Sequence, residues 1–139
     1  MQQGNGSPPN PIPLASGGSV SRFPLLVELK NVGLAKCELV RHLSPLTVAT
    51  LMKSLPIQNR VHRLADKFVY IETGLVIGAE KQKRQFGRGD LGFMVSNGSI
   101  CIFIKDSMVT PMNHIGAVKT NLWIIESARI GDVISMRIE

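Results

Sequence analysis

The sequence predicts a mostly-β fold, a barrel or sandwich of short strands with one short helix. Three observations carry this prediction. Apolar residues alternate with polar ones in short segments along the body of the chain, the period of a half-buried strand. Turn residues, drawn from 13 Gly and 8 Pro, break those segments at intervals of about 8 to 12 residues. One stretch alone, opened by Ser44-Pro45 and ended by Pro56, has helical spacing.

The elements follow in order. Leu25 to Lys30 places Leu25, Val27 and Leu29 on one face, Asn31-Val32-Gly33 reads as a turn, and Lys36 to Arg41 alternates again with Cys37 and Leu39 inward, so a hairpin is expected. Ser44 suits an N-cap and Pro45 the first helical position, with Leu46, Ala49 or Thr50, and Met52-Lys53 following at helical spacing. Val61–Leu64 and Lys67–Thr73 read as strands separated by Ala65-Asp66, and Leu75-Val76-Ile77 as a short apolar run. Gly78–Gly89 is a polar, basic loop. Leu91–Val95 and Ile100–Ile104 flank Ser96-Asn97-Gly98-Ser99, whose Asn-Gly is a strong hairpin signal because both residues tolerate positive φ. Val118–Glu126 and Val133–Ile138 close the chain as strands, with Gly131-Asp132 as their turn.

The 139 residues suit one domain, and 44% hydrophobic against 19% charged residues supply a core that is mostly aliphatic, since aromatics are 5%. Residues 1–22 differ from the rest. They hold Pro8, Pro9, Pro11 and Pro13, lack acidic residues and carry Arg22 as their one base, so a disordered tail is expected there and the folded domain over 23–139. Met1 to Gly6 has neither the basic start nor the apolar stretch of a signal peptide, and no apolar run reaches the ~18 residues of a membrane span. The expectation is a cytoplasmic protein without membrane partners. Cys37 and Cys101 lack C-x-x-C spacing and are expected as buried thiols acting as small hydrophobes, with one disulfide as the alternative.

Four segments, in this order, carry a family resemblance: Phe68-Val69-Tyr70-Ile71-Glu72-Thr73, Gly89-Asp90-Leu91-Gly92-Phe93, Ser99-Ile100-Cys101-Ile102-Phe103-Ile104 and Asn113-His114-Ile115-Gly116-Ala117-Val118. From about residue 25 to 138 the chain resembles the small cyclophilin-like barrels of archaea and bacteria, a family without an assigned activity. The resemblance implies a closed barrel capped by one short helix. Met94-Val95-Ser96-Asn97-Gly98 departs from the Pro and Gly usual there, so the loop beside the groove is expected to differ in shape.

True cyclophilins isomerise prolyl peptide bonds, and the resemblance can be tested at each position. His62-Arg63 with Phe68, and Asn97-Gly98-Ser99, match. The chemistry needs a guanidinium on the prolyl nitrogen to weaken the double-bond character behind a barrier of ~18–20 kcal/mol, and an apolar pocket for the ring. Arg63 and Phe68 suit these roles. Ile71 stands where a glutamine is expected, Leu91 where an asparagine, Ile102 where a phenylalanine and Met112 where a histidine, and Trp123 lies beyond the tryptophan's region. A groove of Arg63, Phe68, Ile71, Leu91, Phe93, Ile102, Phe103 and Met112 is therefore expected to bind a small molecule or an extended peptide without catalysis; prolyl isomerisation is the alternative.

A third reading comes from Glu80 to Arg88. Lys81, Lys83, Arg84 and Arg88 could neutralise phosphates and Phe86 could stack on a base, so single-stranded nucleic acid is a further candidate partner, set against a merely solvated loop. The net charge of +6 agrees with either. His42, His62 and His114 are dispersed without metal-ligand spacing, and neither a nucleophile elbow nor a phosphate loop occurs, so no metal or cofactor is expected.

Overall fold

The computed structural model describes residues 21–139; of the expected tail, only Ser21 and Arg22 fall within the described residues. Arg22 already opens strand β1 (Arg22–Leu29), which pairs with β2 (Gly33–Val40) from Arg22 opposite Val40 to Leu29 opposite Gly33. The Val32 amide donates to the Leu29 carbonyl at 3.0 Å, and Asn31 takes a φ of 68°, a left-handed conformation asparagine tolerates. Leu25, Val27, Leu29, Cys37 and Leu39 are buried, as their alternation requires.

Helix α1 (Pro45–Ser54) follows one 3-10 turn (Arg41–Leu43) and has Pro45 in its first turn. Ser44 does not cap it: the Ser44 hydroxyl donates to the His114 carbonyl at 2.7 Å. The cap comes from Glu80, whose carboxylate accepts from the Leu46 and Thr47 amides, each at 2.9 Å, and from the Thr47 hydroxyl at 2.8 Å. Asn113 completes the junction, accepting from the Glu80 amide and donating to Thr47 Oγ1 and the Gly78 carbonyl. The helix buries Thr47, Val48 and Leu51, while Leu46, one of the residues at helical spacing, is 74% exposed.

The remaining strands are β3 (Ile57–Arg60), β4 (His62–Leu64), β5 (Phe68–Glu72), β6 (Lys83–Phe86), β7 (Asp90–Met94), β8 (Ser99–Phe103), β9 (Ser107–Thr120) and β10 (Val133–Ile138), with helix α2 (Leu122–Glu126) between the last two. Among the described residues ten strands form one sheet in the order β3-β10-β1-β2-β9-β7-β8-β5-β4, and β6 pairs with β9 off this path. The expected closed barrel is thus open in its hydrogen-bond ladder. Its two end strands are nevertheless joined by the single residue Val61, which exchanges backbone bonds with Gly131 and Asp132, and Asn59 donates across the gap to the Glu72 carbonyl at 2.9 Å.

Several expectations are corrected. Leu122–Glu126 is a second helix, not the end of a strand; Asn121 at φ 63° ends β9 and turns the chain. Gly131-Asp132 therefore leads from the helix region into β10, which pairs with β1 and β3. Leu75–Ile77 is not a strand; Val76 is wholly exposed and Ile77 buried. The basic loop contains strand β6. Among the described residues, no helix is long and apolar enough to cross a membrane.

The β7–β8 connection has four residues, since Met94 pairs with Ser99, and Gly98 alone of Asn97-Gly98 has positive φ, at 65°. It is not a two-residue type I′ turn. A Cβ at Gly98 would run into the Leu75 carbonyl oxygen. Gly98→Val is accordingly expected to cost about 1–3 kcal/mol, read as a lower denaturation midpoint in urea; an unchanged midpoint would contradict the strained φ and the close approach.

Burial raises the pKa of Glu80, but the amides of Leu46 and Thr47 and the Thr47 hydroxyl lower it by more, so it lies below its ordinary 4.5. A depressed carboxylate stabilises the fold above its unfolded pKa and loses that contribution as pH falls through the folded one. Glu80→Gln should therefore lose about 1 kcal/mol at pH 7 and flatten the stability decline below about pH 4.5, measured by denaturation across pH.

Candidate functional site

Because successive strand residues point to opposite faces, the sheet buries two separate apolar layers. The larger fills the barrel and includes Val69, Ile71, Leu91, Phe93 and Ile102. The smaller lies on the outer face and consists of Phe68, Phe86, Cys101, Phe103, Val109 and Met112, with Tyr70 and Met94 packed against it. Phe86 and Phe103 stack with centroids 4.6 Å apart and planes 2° from parallel, and Phe68 tilts onto Phe103 at 5.1 Å. Gly92 leaves room for this arrangement: a Cβ there would lie 3.3 Å from Met112 Sδ and from Phe86.

A cavity of about 450 Å³ opens beside this outer layer. Phe68, Tyr70, Met94, Val109 and Met112 form its apolar walls with Leu64 and the exposed Met108. Its polar groups are Lys67, Arg84, Asn97 and Thr110. Arg84 is fixed there by its Nε, which donates to the Val109 carbonyl at 3.3 Å. On the same outward face, Ser99 pairs with Met94 in the ladder, and its hydroxyl is buried with no hydrogen-bond partner among the described residues.

Of the expected groove residues, Phe68 and Met112 line the cavity and Phe103 sits in the layer behind it. Ile71, Leu91, Phe93 and Ile102 face the barrel interior and do not share a surface with them. Arg63 is directed elsewhere as well. It pairs with Val69, on the inner face, and its Nη1 donates to the Glu126 carbonyl at 3.1 Å and the Ala128 carbonyl at 2.7 Å, holding the end of α2. The neighbour that shares the cavity's face is His62, stacked on Tyr70 at 5.2 Å.

The basic loop also resolves into separate contacts. Lys81 Nζ donates to the His42 carbonyl, Lys83 lies 3.7 Å from Asp90 and over the Phe86 ring, and Arg88 pairs with Glu126. Phe86 is 1% exposed, so its faces are not open to a nucleobase. Burial raises the pKa of Asp90, but a hydrogen bond from His114, the Gly87 amide and the charges of His114 and Lys83 hold it below the ordinary value. Both cysteines are free and buried. Burial pushes the Cys37 thiol up to about 12 and the Cys101 thiol upward too, which makes both poor nucleophiles. Among the described residues no three His, Cys, Asp or Glu side chains converge as a metal site.

Sequence reasoning missed Tyr70, Met94, Met108 and Thr110. The signal for Tyr70 was present, since it lies two residues from Phe68 and must share its face. Nothing local marks Met108 or Thr110, because β9 brings them in from a distant part of the chain.

A ten-stranded, nearly closed sheet with a ligand-sized cavity on its outer face defines the architectural class. The family model described as cyclophilin-like matches residues 25–137, and the chain belongs to that family. The solution structure of a hypothetical protein from Archaeoglobus fulgidus is similar with a TM-score of 0.73 and 18% identity, over 91% of this chain and 100% of that one. The structure of McbB in complex with tryptophan is similar with a TM-score of 0.65 and 12% identity, over 83% of this chain and 44% of that one. At these identities the likeness is one of fold. No curated protein matches the sequence.

The contacts of Arg63 make it a structural residue. Arg63→Ala should lower stability by about 1–3 kcal/mol, since two carbonyls at the end of α2 lose a charged donor, and should leave the resonances of Phe68 and Tyr70 nearly unshifted in NMR spectra. Shifts concentrated at the cavity, with stability unchanged, would contradict this.

Proposed function

We propose that this protein is a binding module for a small molecule, held without catalysis in the outer-face cavity. The observation that carries the reading is the cavity itself: about 450 Å³, within the range of small-molecule sites, apolar in its walls and equipped with a few polar groups at its edge. Tyr70 and the methionines supply large, adaptable contact area, and the stacked Phe86 and Phe103 behind them give a rigid floor. McbB, which is similar in fold, was solved with tryptophan, a ligand of the size class proposed here.

The non-catalytic part of the proposal rests on Arg63. Prolyl isomerisation requires a guanidinium aimed at the ring nitrogen beside an apolar pocket, whereas Arg63 donates to the carbonyls of Glu126 and Ala128 on the other face. Phe68 remains at the pocket without Arg63, and the guanidinium that lines the cavity, that of the exposed Arg84, is bonded through Nε to the Val109 carbonyl. Exchange spectroscopy on an X-Pro peptide tests this: cis and trans should interconvert at the uncatalysed rate of tens to hundreds of seconds with or without the protein. Acceleration that disappears in Phe68→Ala would overturn the proposal in favour of an isomerase.

A further inference from the structure

Resting on that reading of the cavity, we infer that its ligand is a small aromatic carboxylate, with Arg84 and Lys67 as the groups that receive the anionic end. The inference comes from the charges that surround the cavity and from those that are absent there. Among the described residues two cations line it and no Asp or Glu does. The ion pairs among the described residues engage Arg22, Lys36, Lys83, Arg88, Lys105, His114, Lys119 and Arg137, and neither Arg84 nor Lys67.

The nearest carboxylates in sequence have other partners: Glu80, four residues before Arg84, accepts from the Leu46 and Thr47 amides. Asp66, adjacent to Lys67, is 3.2 Å from Lys105 Nζ. Asp90 is shared by Lys83 at 3.7 Å and His114 at 3.6 Å. The cavity edge therefore carries Arg84 without a carboxylate partner, and Lys67 whose neighbour Asp66 is bonded to Lys105, beside an apolar wall. A bound anion would restore the balance, and a charged hydrogen bond at the margin of an apolar cavity is stronger than one in open water.

The type of anion follows from the donors. Arg84 spends only Nε on the Val109 carbonyl, which tethers the guanidinium at the cavity and leaves the Nη groups for the forked contact a carboxylate makes. A doubly charged phosphate calls for several converging donors, such as a run of backbone amides or a helix N-terminus. The cavity wall comes from strands and their connections, and α1, the longer helix, already has its first amides occupied by Glu80. The body of the ligand is set by the opposite wall. Tyr70, tilted on Phe68 with centroids 5.7 Å apart, and Met94 and Met108 make the accessible surface suited to a flat ring, backed by the buried Phe68 and Met112, with Asn97 and Thr110 as neutral hydrogen-bonding groups.

The test compares two probes of equal shape, naphthylacetate and neutral naphthylacetamide, titrated into the full chain in 0.15 M salt and followed by two-dimensional NMR. Both should shift Phe68, Tyr70 and the cavity methionines, and the carboxylate should bind about tenfold tighter or more. Arg84→Gln should reduce that ratio to about twofold or less while leaving the amide's affinity in place, and Lys67→Gln should reduce it partially. Both side chains are exposed, and the retained affinity for the amide reports that each variant is folded. Equal affinities of the two probes at the cavity would overturn the anionic inference and keep the binding site. A ratio that survives both substitutions would also overturn it. Shifts confined to the basic edge of β2 and β9 around Lys36 and Lys119, or no shifts with either probe, would remove the binding site and the inference together.

Discussion

Strand β8 is buried along its whole length, and both of its faces have to be filled. Ile100 and Ile102 are filled from the barrel interior. Cys101 and Phe103 are filled from outside, and this requires a second apolar layer where an antiparallel sheet could otherwise face water. The layer is assembled from Phe68, Phe86 and Met112 of three other strands. Phe68 and Phe86 pack on Phe103, and Phe68 and Met112 also line the cavity. The site is thus the outer boundary of a packing solution that begins at β8.

That solution depends on β9, whose fourteen residues serve three partners in turn. Ser107, Met108 and Met112 pair with β6, Asn113 to Ala117 with β7, and Gly116 to Thr120 with β2. The pairing with each partner contains one register irregularity, between Met108 and Met112, His114 and Gly116, and Val118 and Thr120, and such breaks bend a strand and strengthen its twist. Gly116 marks the tightest of these crossings, where a side chain would collide with the Glu38 carbonyl. The bend carries Met108, Val109 and Thr110 around to the cavity side. The same strand ties the cavity to the rest of the fold, since Asn113, one residue beyond Met112, holds both Gly78 and the Glu80 cap of α1.

Much of the fold was legible because its signals are local. The β1–β2 hairpin follows from Leu25, Val27 and Leu29 alternating up to Asn31, and α1 from Pro45 and Pro56. Helix α2 was not legible: Leu122-Trp123-Ile124-Ile125 has strand-like composition, and its five residues are helical because Ile124 and Ile125 can be buried there and Arg63 meets the end of the turn. The site was half legible. Composition identified the strands that build it, but the groove was drawn from residues on both faces, since an apolar residue on a strand buried on two sides does not announce its side. Period two separates Phe68 and Tyr70 from Val69 and Ile71 once one of them is placed; placing the first one required the sheet.

The position of Arg63 shows how a preserved residue pattern can carry a different role. His62-Arg63 followed by Phe68 keeps the isomerase spacing, yet a strand delivers neighbouring side chains to opposite faces, so His62 and Arg63 cannot both serve one surface. Here His62 goes to the cavity face and stacks on Tyr70, while the guanidinium goes to α2. What the outer face loses by this is a donor deep among its rings. What it retains is Arg84, delivered from the opposite side by β6 and bonded through Nε to the Val109 carbonyl. A cation at the rim favours an anion whose apolar body fills the interior, whereas a buried cation facing an amide nitrogen would favour the twisted peptide bond. The difference between a binding module and an isomerase in this fold can therefore rest on which strand supplies the guanidinium and at what depth.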